Sequence, residues 1–103
     1  MKKMIVLITI DTEFSNHKDD MGIVGRVDGS DYGVPKLAAL LNQYHFKATW
    51  FVDVYTNKQN YVMEFISTCR SLQGRGHDVQ LHTHPDGLFD PQRGSIQDYS
   101  LDE

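Results

Sequence analysis

The sequence is short of cysteine, of long apolar runs and of basic charge, and each shortage excludes a class of protein. A single cysteine, Cys69, can form no internal disulfide, so the fold is not a stapled secreted mini-protein. The longest apolar stretch, from Met4 to Ile10, is far too short to cross a bilayer. Lys2 and Lys3 ahead of it imitate a signal peptide, but the run ends at Asp11 without a small-residue cleavage site. It therefore reads as a strand, and the chain as cytoplasmic. Lys and Arg number 10 against 14 Asp and Glu, a formal net charge of −4, which argues against a nucleic-acid binder working through a basic surface. There is no internal repeat and no low-complexity tract. What is present is ordinary globular composition: 40% hydrophobic and 23% charged residues, in 103 positions that leave room for one small domain.

Met4–Ile10 is rich in Ile and Val and predicts a strand buried on both faces, as in a parallel sheet covered by helices. The polar stretch from Ser15 to Tyr32, with Gly22, Gly25 and Gly29, reads as one long loop. Pro35 opens a helix, with Val34, Leu37, Ala38 and Leu41 on one face. Lys47–Asp53 predicts a second strand. A second helix is expected from about Asn60 to Gln73, with Val62, Phe65, Ile66 and Cys69 as its apolar face and Gly74 and Gly76 ending it. His77–His82 reads as a third strand. The order β-α-β-α-β with crossover helices implies an α/β fold with a parallel sheet. Trp50, Phe51 and Tyr55 read as core and rim aromatics, and Cys69 as a small core residue. His45 belongs at a helix end, His77 to packing or capping, and His17 to solvent. At the chain's end Ser100-Leu-Asp-Glu103 matches the S-x-x-E box that starts a helix.

Two strand ends carry chemistry. Asp11 and Glu13 of D-T-E are two residues apart, so both carboxylates project to one side, at the end of a strand where α/β sheets gather their sites. His82 and His84 of L-H-T-H-P stand in the same relation at the end of the third strand. Two imidazoles with a carboxylate nearby fill three positions of a metal site and leave others open. Asp86 either joins that set or belongs to the Pro85-Asp86-Gly87 turn. The first and third strands of such a unit lie near each other, so the two motifs converge. No G-x-S-x-G elbow and no glycine-rich phosphate loop is present.

Three segments, L-I-T-I-D-T-E, F-K-A-T-W-F-V and G-H-D-V-Q-L-H-T-H-P, resemble in order the anchors of the polysaccharide deacetylases, the NodB-like carbohydrate esterase family 4. The resemblance spans roughly residues 4 to 86 and looks closest to a divergent D-T-E and H-x-H-P subgroup. It implies a distorted (β/α) barrel, of which residues 1–103 are the N-terminal part with the C-terminal part absent. It implies a divalent metal, commonly zinc, and an acetylated carbohydrate as substrate, with no nucleic acid and no membrane as partner. By analogy Asp11 is the catalytic base. Thr12 replaces the aspartate that is the family's metal ligand, so Glu13 takes over. His82 is the first metal histidine. The family's second lies four residues on, where Asp86 stands here; either His84 takes its place, H-x-H replacing H-x-x-x-H, or the metal site is altered. The family's general acid, a histidine of a late strand, has no counterpart in these residues.

Two other readings compete. I-D-T-E-F also resembles the first motif of DEDD-type exonucleases, but the further acidic strand and the late H-x-x-x-D are missing. The chain could also be an inactive fragment or a metal- or carbohydrate-binding module. A bare unit of this size leaves the edge of strand two or three and half of each helix exposed, so marginal stability or self-association is expected of the isolated chain.

Overall fold

The structure is a computed structural model that describes residues 2–13, 23–54 and 62–83. Its elements in chain order are β1 (Thr9–Thr12), β2 (Arg26–Val27), β3 (Ser30–Asp31), α1 (Val34–Gln43), β4 (Thr49–Asp53), α2 (Val62–Gly74) and β5 (Asp78–His82). Strands β1, β4 and β5 form one parallel sheet in the order β1-β4-β5. The strand over residues 47–53 is thus the central one, and among the described residues β1 and β5 are the outer strands, so the edge expected at strand two or three can lie only at strand three or at the first strand. The α/β class and the parallel sheet expected from the sequence are both present.

The ends of the helices are built from local chemistry. Pro35 stands in the first turn of α1, where its missing N–H costs nothing. At the other end His45 takes φ 60°, the His45 N–H donates to the Asn42 carbonyl and the Phe46 N–H to the Leu41 carbonyl. This is a Schellman motif with histidine in the position usually given to glycine. Helix α2 ends the same way, with Gly76 at φ 82°, Gly76 N–H on Gln73 and His77 N–H on Leu72. The Lys47 ammonium ties the two ends together, donating to Asn42 Oδ1 at 2.9 Å and to the Arg75 carbonyl at 2.6 Å. Each strand after a helix therefore starts from a fixed point.

Both helices pack against one face of the sheet. Val34 and Ala38 of α1 and Leu72 of α2 join Trp50 and Val52 in a single core, with Ile8, Ile10, Leu41, Phe65, Cys69 and Val79 packed around it. In α2 the inward stripe runs through Phe65, Thr68, Cys69 and Leu72, while Val62 faces out, so the apolar face lies one step round from the expected one. Trp50 is completely buried, and its ring meets that of His77 edge-on at 5.8 Å. The Ala48 N–H donates to His77 Nδ1 at 3.1 Å. His77 is buried, and burial lowers its pKa, with Lys47 and Arg75 adding to the shift. It has the packing role expected of it.

Two expectations fail. Met4, Ile5 and Leu7 are 87, 85 and 86% exposed, and the strand runs only over Thr9–Thr12. The reason is the partner. The pairing starts with the Thr49 N–H on the Ile8 carbonyl, and the chain just before β4 is occupied by the turn that ends α1. Among the described residues, those upstream of Ile8 have no strand on that side to pair with. The stretch expected as one loop also contains a hairpin, β2 with β3. Asp28 and Gly29 between them have φ 49° and 79°, as a two-residue type I′ turn requires, and Arg26 closes the hairpin on Asp31 at 2.8 Å. The Ile23 and Val24 carbonyls accept from Val34 and Gly33, docking the segment on the start of α1. A side chain at Gly33 would meet the Ile23 carbonyl oxygen at 2.4 Å, so only glycine admits this approach. Asn60, Tyr55, His17 and the Ser100–Glu103 box lie outside the described residues.

Candidate functional site

Strand register assigns every side chain of the sheet to a face. Partners across a parallel ladder point the same way, and neighbours along a strand point oppositely. Ile10, Trp50 and Val79 form one row, and Thr12, Val52 and Leu81 another, on the side covered by the helices. The opposite side carries Thr9, Thr49 and Asp78, then Asp11, Phe51 and Gln80, then Asp53 and His82. Glu13 continues β1 by one residue into that last row. This second face holds the acidic residues and no lysine or arginine from the strands.

The sequence-predicted residues fall on the polar face at its carboxyl end. Asp11 is exposed at the β1 end of its row. Glu13 Oε1 and His82 Nε2 stand 3.1 Å apart, with the histidine half-buried. These two residues come from strands that are not neighbours. Two inter-strand steps of about 4.8 Å separate their backbones, so the side chains reach over β4 to meet. The expected convergence of the two motifs is therefore observed, through side chains spanning the central strand. His84 and Asp86 lie outside the described residues. Among the described residues no group of three or more His, Cys, Asp and Glu side chains is placed to hold a metal ion.

Thr12 answers a question posed by the resemblance. Its side chain is buried on the helix side, and its hydroxyl has no hydrogen-bond partner among the described residues. An aspartate there would be turned away from Asp11 and His82, whereas Glu13 is turned toward them.

One residue of this face escaped sequence reasoning. Asp53, read only as the last residue of a strand, is completely buried at the end of β4 and in register with His82. The signal that could have found it is alternation: Phe51 and Asp53 share a face, and a strand that ends on a carboxylate beside two other candidate strand ends belongs with them. The single cysteine, Cys69, is half-buried on the helix side, where burial raises its thiol pKa. Among the described residues no helix is long and apolar enough to cross a membrane.

No curated protein and no solved structure matches the chain. A family model described as polysaccharide deacetylase matches residues 19–95, a span that holds β4, α2 and β5 and leaves the D-T-E strand just ahead of it. That match removes the exonuclease reading. With strands, helices and H-x-H segment in the order the resemblance requires, the chain belongs to the polysaccharide deacetylase family.

Proposed function

We propose that the polar face is the metal end of a carbohydrate deacetylase site, in a sheet that forms the first part of a distorted (β/α) barrel. The observation that carries this reading is the Glu13–His82 pair. A carboxylate oxygen and an imidazole nitrogen from non-adjacent strands meet at 3.1 Å on the face of the sheet opposite the helices. One oxygen and one nitrogen donor suit zinc, and His84, two residues beyond His82, supplies the third. A polar face opposite the helices is also what the inside of a (β/α) barrel presents at the carboxyl ends of its strands, where substrate groups reach.

A zinc ion held by Glu13, His82 and His84 would polarise an acetyl carbonyl and lower the pKa of water. Asp11 lies on the same face, one row below, and is exposed, so a water molecule can reach its carboxylate. It takes the proton of the attacking water. Glu13, drawn to His82, leaves Asp11 free for that proton. The side chain of Thr12 takes no part.

The experiment is acetate release from N- and O-acetylated sugars by a polypeptide that contains these 103 residues, with metal content measured alongside. Asp11→Asn is expected to keep the metal and lower the rate about 10²- to 10⁴-fold, the usual contribution of a general base. Unchanged acetate release in Asp11→Asn would sink the assignment of the base. A chain that binds zinc stoichiometrically but releases no acetate in any context would favour the binding module instead.

A further inference from the structure

Helices α1 and α2 leave a cavity of about 250 Å³ between them, beside the β2–β3 hairpin. Its α2 wall is built from Glu64, Ser67, Thr68 and Ser71, which recur every three or four residues and so share one side of the helix. Across from them stand Val34, Pro35 and Ala38 of α1. Serine and alanine are too short to fill the space between two helices, which leaves the cavity open. It lies on the helix side of the sheet, and none of Asp11, Glu13 and His82 lines it.

One oxygen in this wall lacks a donor. Glu64 Oε1 is buried and has no hydrogen-bond partner among the described residues. The groups that could have served it are turned elsewhere. The Ser67 hydroxyl donates to the Glu64 main-chain carbonyl at 2.9 Å. Arg26, on the hairpin wall, donates from Nε and Nη2 to the Asp31 carboxylate at 2.8 and 3.4 Å. Arg75 lines the opposite end, about 16 Å further along the helix axis. A carboxylate oxygen withdrawn from water without a donor is costly, so the cavity is short of one cationic donor. Its size and remaining walls narrow the choice. A cavity of about 150 Å³ holds one benzene ring, so this one has room for a six-membered ring with its substituents. Val34, Pro35, Ala38 and Leu72 suit the C–H face of such a ring, and the hydroxyls of Thr68 and Ser71 suit hydroxyl groups on it.

We propose that this cavity is a second ligand site, which takes an amino sugar with a free amine, its ammonium donating to Glu64 Oε1. The choice of a sugar among hydroxylated amines rests on the deacetylase reading, since hydrolysis of an N-acetyl group leaves such an amine. An N-acetylated sugar offers no cation to Glu64, so the site separates product from substrate.

The test is a titration followed by nitrogen-15 and proton spectra of the backbone amides, on a polypeptide that contains these 103 residues. The probes are glucosamine, N-acetylglucosamine and cyclohexylamine, and the proteins are wild type, Glu64→Gln and Asp28→Asn. Asp28 is a control, an exposed carboxylate in the hairpin turn outside the cavity. Glucosamine should shift the amides of α1 and α2 around the cavity saturably, and equally in wild type and Asp28→Asn. Glu64→Gln should bind it about 10- to 100-fold more weakly, the loss of one charged hydrogen bond. N-acetylglucosamine should leave those amides in place, and cyclohexylamine, which has the ring and the ammonium without hydroxyls, should bind more weakly than glucosamine. The comparison of probes on the wild type decides even if Glu64→Gln fails to fold. No saturable shift with glucosamine, wild-type affinity in Glu64→Gln, or equal binding of N-acetylglucosamine or of cyclohexylamine would each overturn the proposal. A chain that binds glucosamine here but releases no acetate would sink the deacetylase reading alone. One that releases acetate and binds no glucosamine here would sink this site alone.

Discussion

The two faces of the β1-β4-β5 sheet are made from alternate residues of the same strands and differ in almost everything else. The helix side is tryptophan, valine and isoleucine packed under α1 and α2, and even its one hydroxyl, that of Thr12, is buried without a partner among the described residues. The other side is carboxylate, threonine, glutamine and histidine, with its apolar content reduced to Phe51. The first face is where the free energy of folding is gained. The second carries the carboxylates, Asp53 buried and Asp11 and Glu13 exposed. The difference teaches that alternation along a strand is enough to separate the apolar contacts under the helices from the titratable groups of the same strands.

That contrast can be broken in four places. Trp50→Ala removes the largest side chain of the helix face and should cost about 3–5 kcal/mol, enough to unfold a unit this small. Denaturant titration followed by circular dichroism checks it, and a native-like melt would show the core lies elsewhere. Zinc at 100 times its dissociation constant should stabilise the wild type by about 2.7 kcal/mol. Glu13→Ala and His82→Ala should abolish that gain while leaving the metal-free melt little changed. Zinc stabilisation that survives both variants would detach the polar face from metal binding.

Thr12→Val keeps the shape and removes a buried hydroxyl without a partner, so it should be neutral or stabilise by up to about 1 kcal/mol and leave zinc uptake as it was. A lost metal site in this variant would put Thr12 on the wrong face. The smallest effect concerns pH. Folded His77 has a pKa below its ordinary 6.5, because burial and the Lys47 and Arg75 charges disfavour the imidazolium. Its Nδ1 also accepts the Ala48 N–H, which a protonated ring cannot do. The unfolded chain therefore binds this proton more readily. The stability it represents is complete above about pH 6.5 and is lost as the pH falls further. His77→Gln should flatten the stability profile in that acid range, and an unchanged slope would assign the acid sensitivity to another group.

Much of this was legible in the chain. Pro35 placed the start of α1, and the A-T-W-F-V run placed β4. G-H-D-V placed β5, and Gly76 the end of α2. These are local effects of φ preference, missing donors and β-branching, and they act wherever the segment sits. The hairpin was legible too, in Asp28-Gly29, but its strands are too short for periodicity to show. The overlong first strand could not be corrected from sequence, because apolar residues form a strand only as far as a partner runs beside them. Alternation placed Asp11 and Glu13 together, and His82 with His84, but within each strand only.

The sequence by itself determined the kinds of element, their caps, the family resemblance and the pairs of residues that share a side. Only the tertiary structure decided that β4 lies between β1 and β5, that both helices cover one face, and that Glu13 and His82 therefore meet across Asp53. The physical reason is range. Caps and alternation are set by neighbours a few residues apart, whereas strand order and the choice of inner face depend on which distant apolar surfaces bury one another.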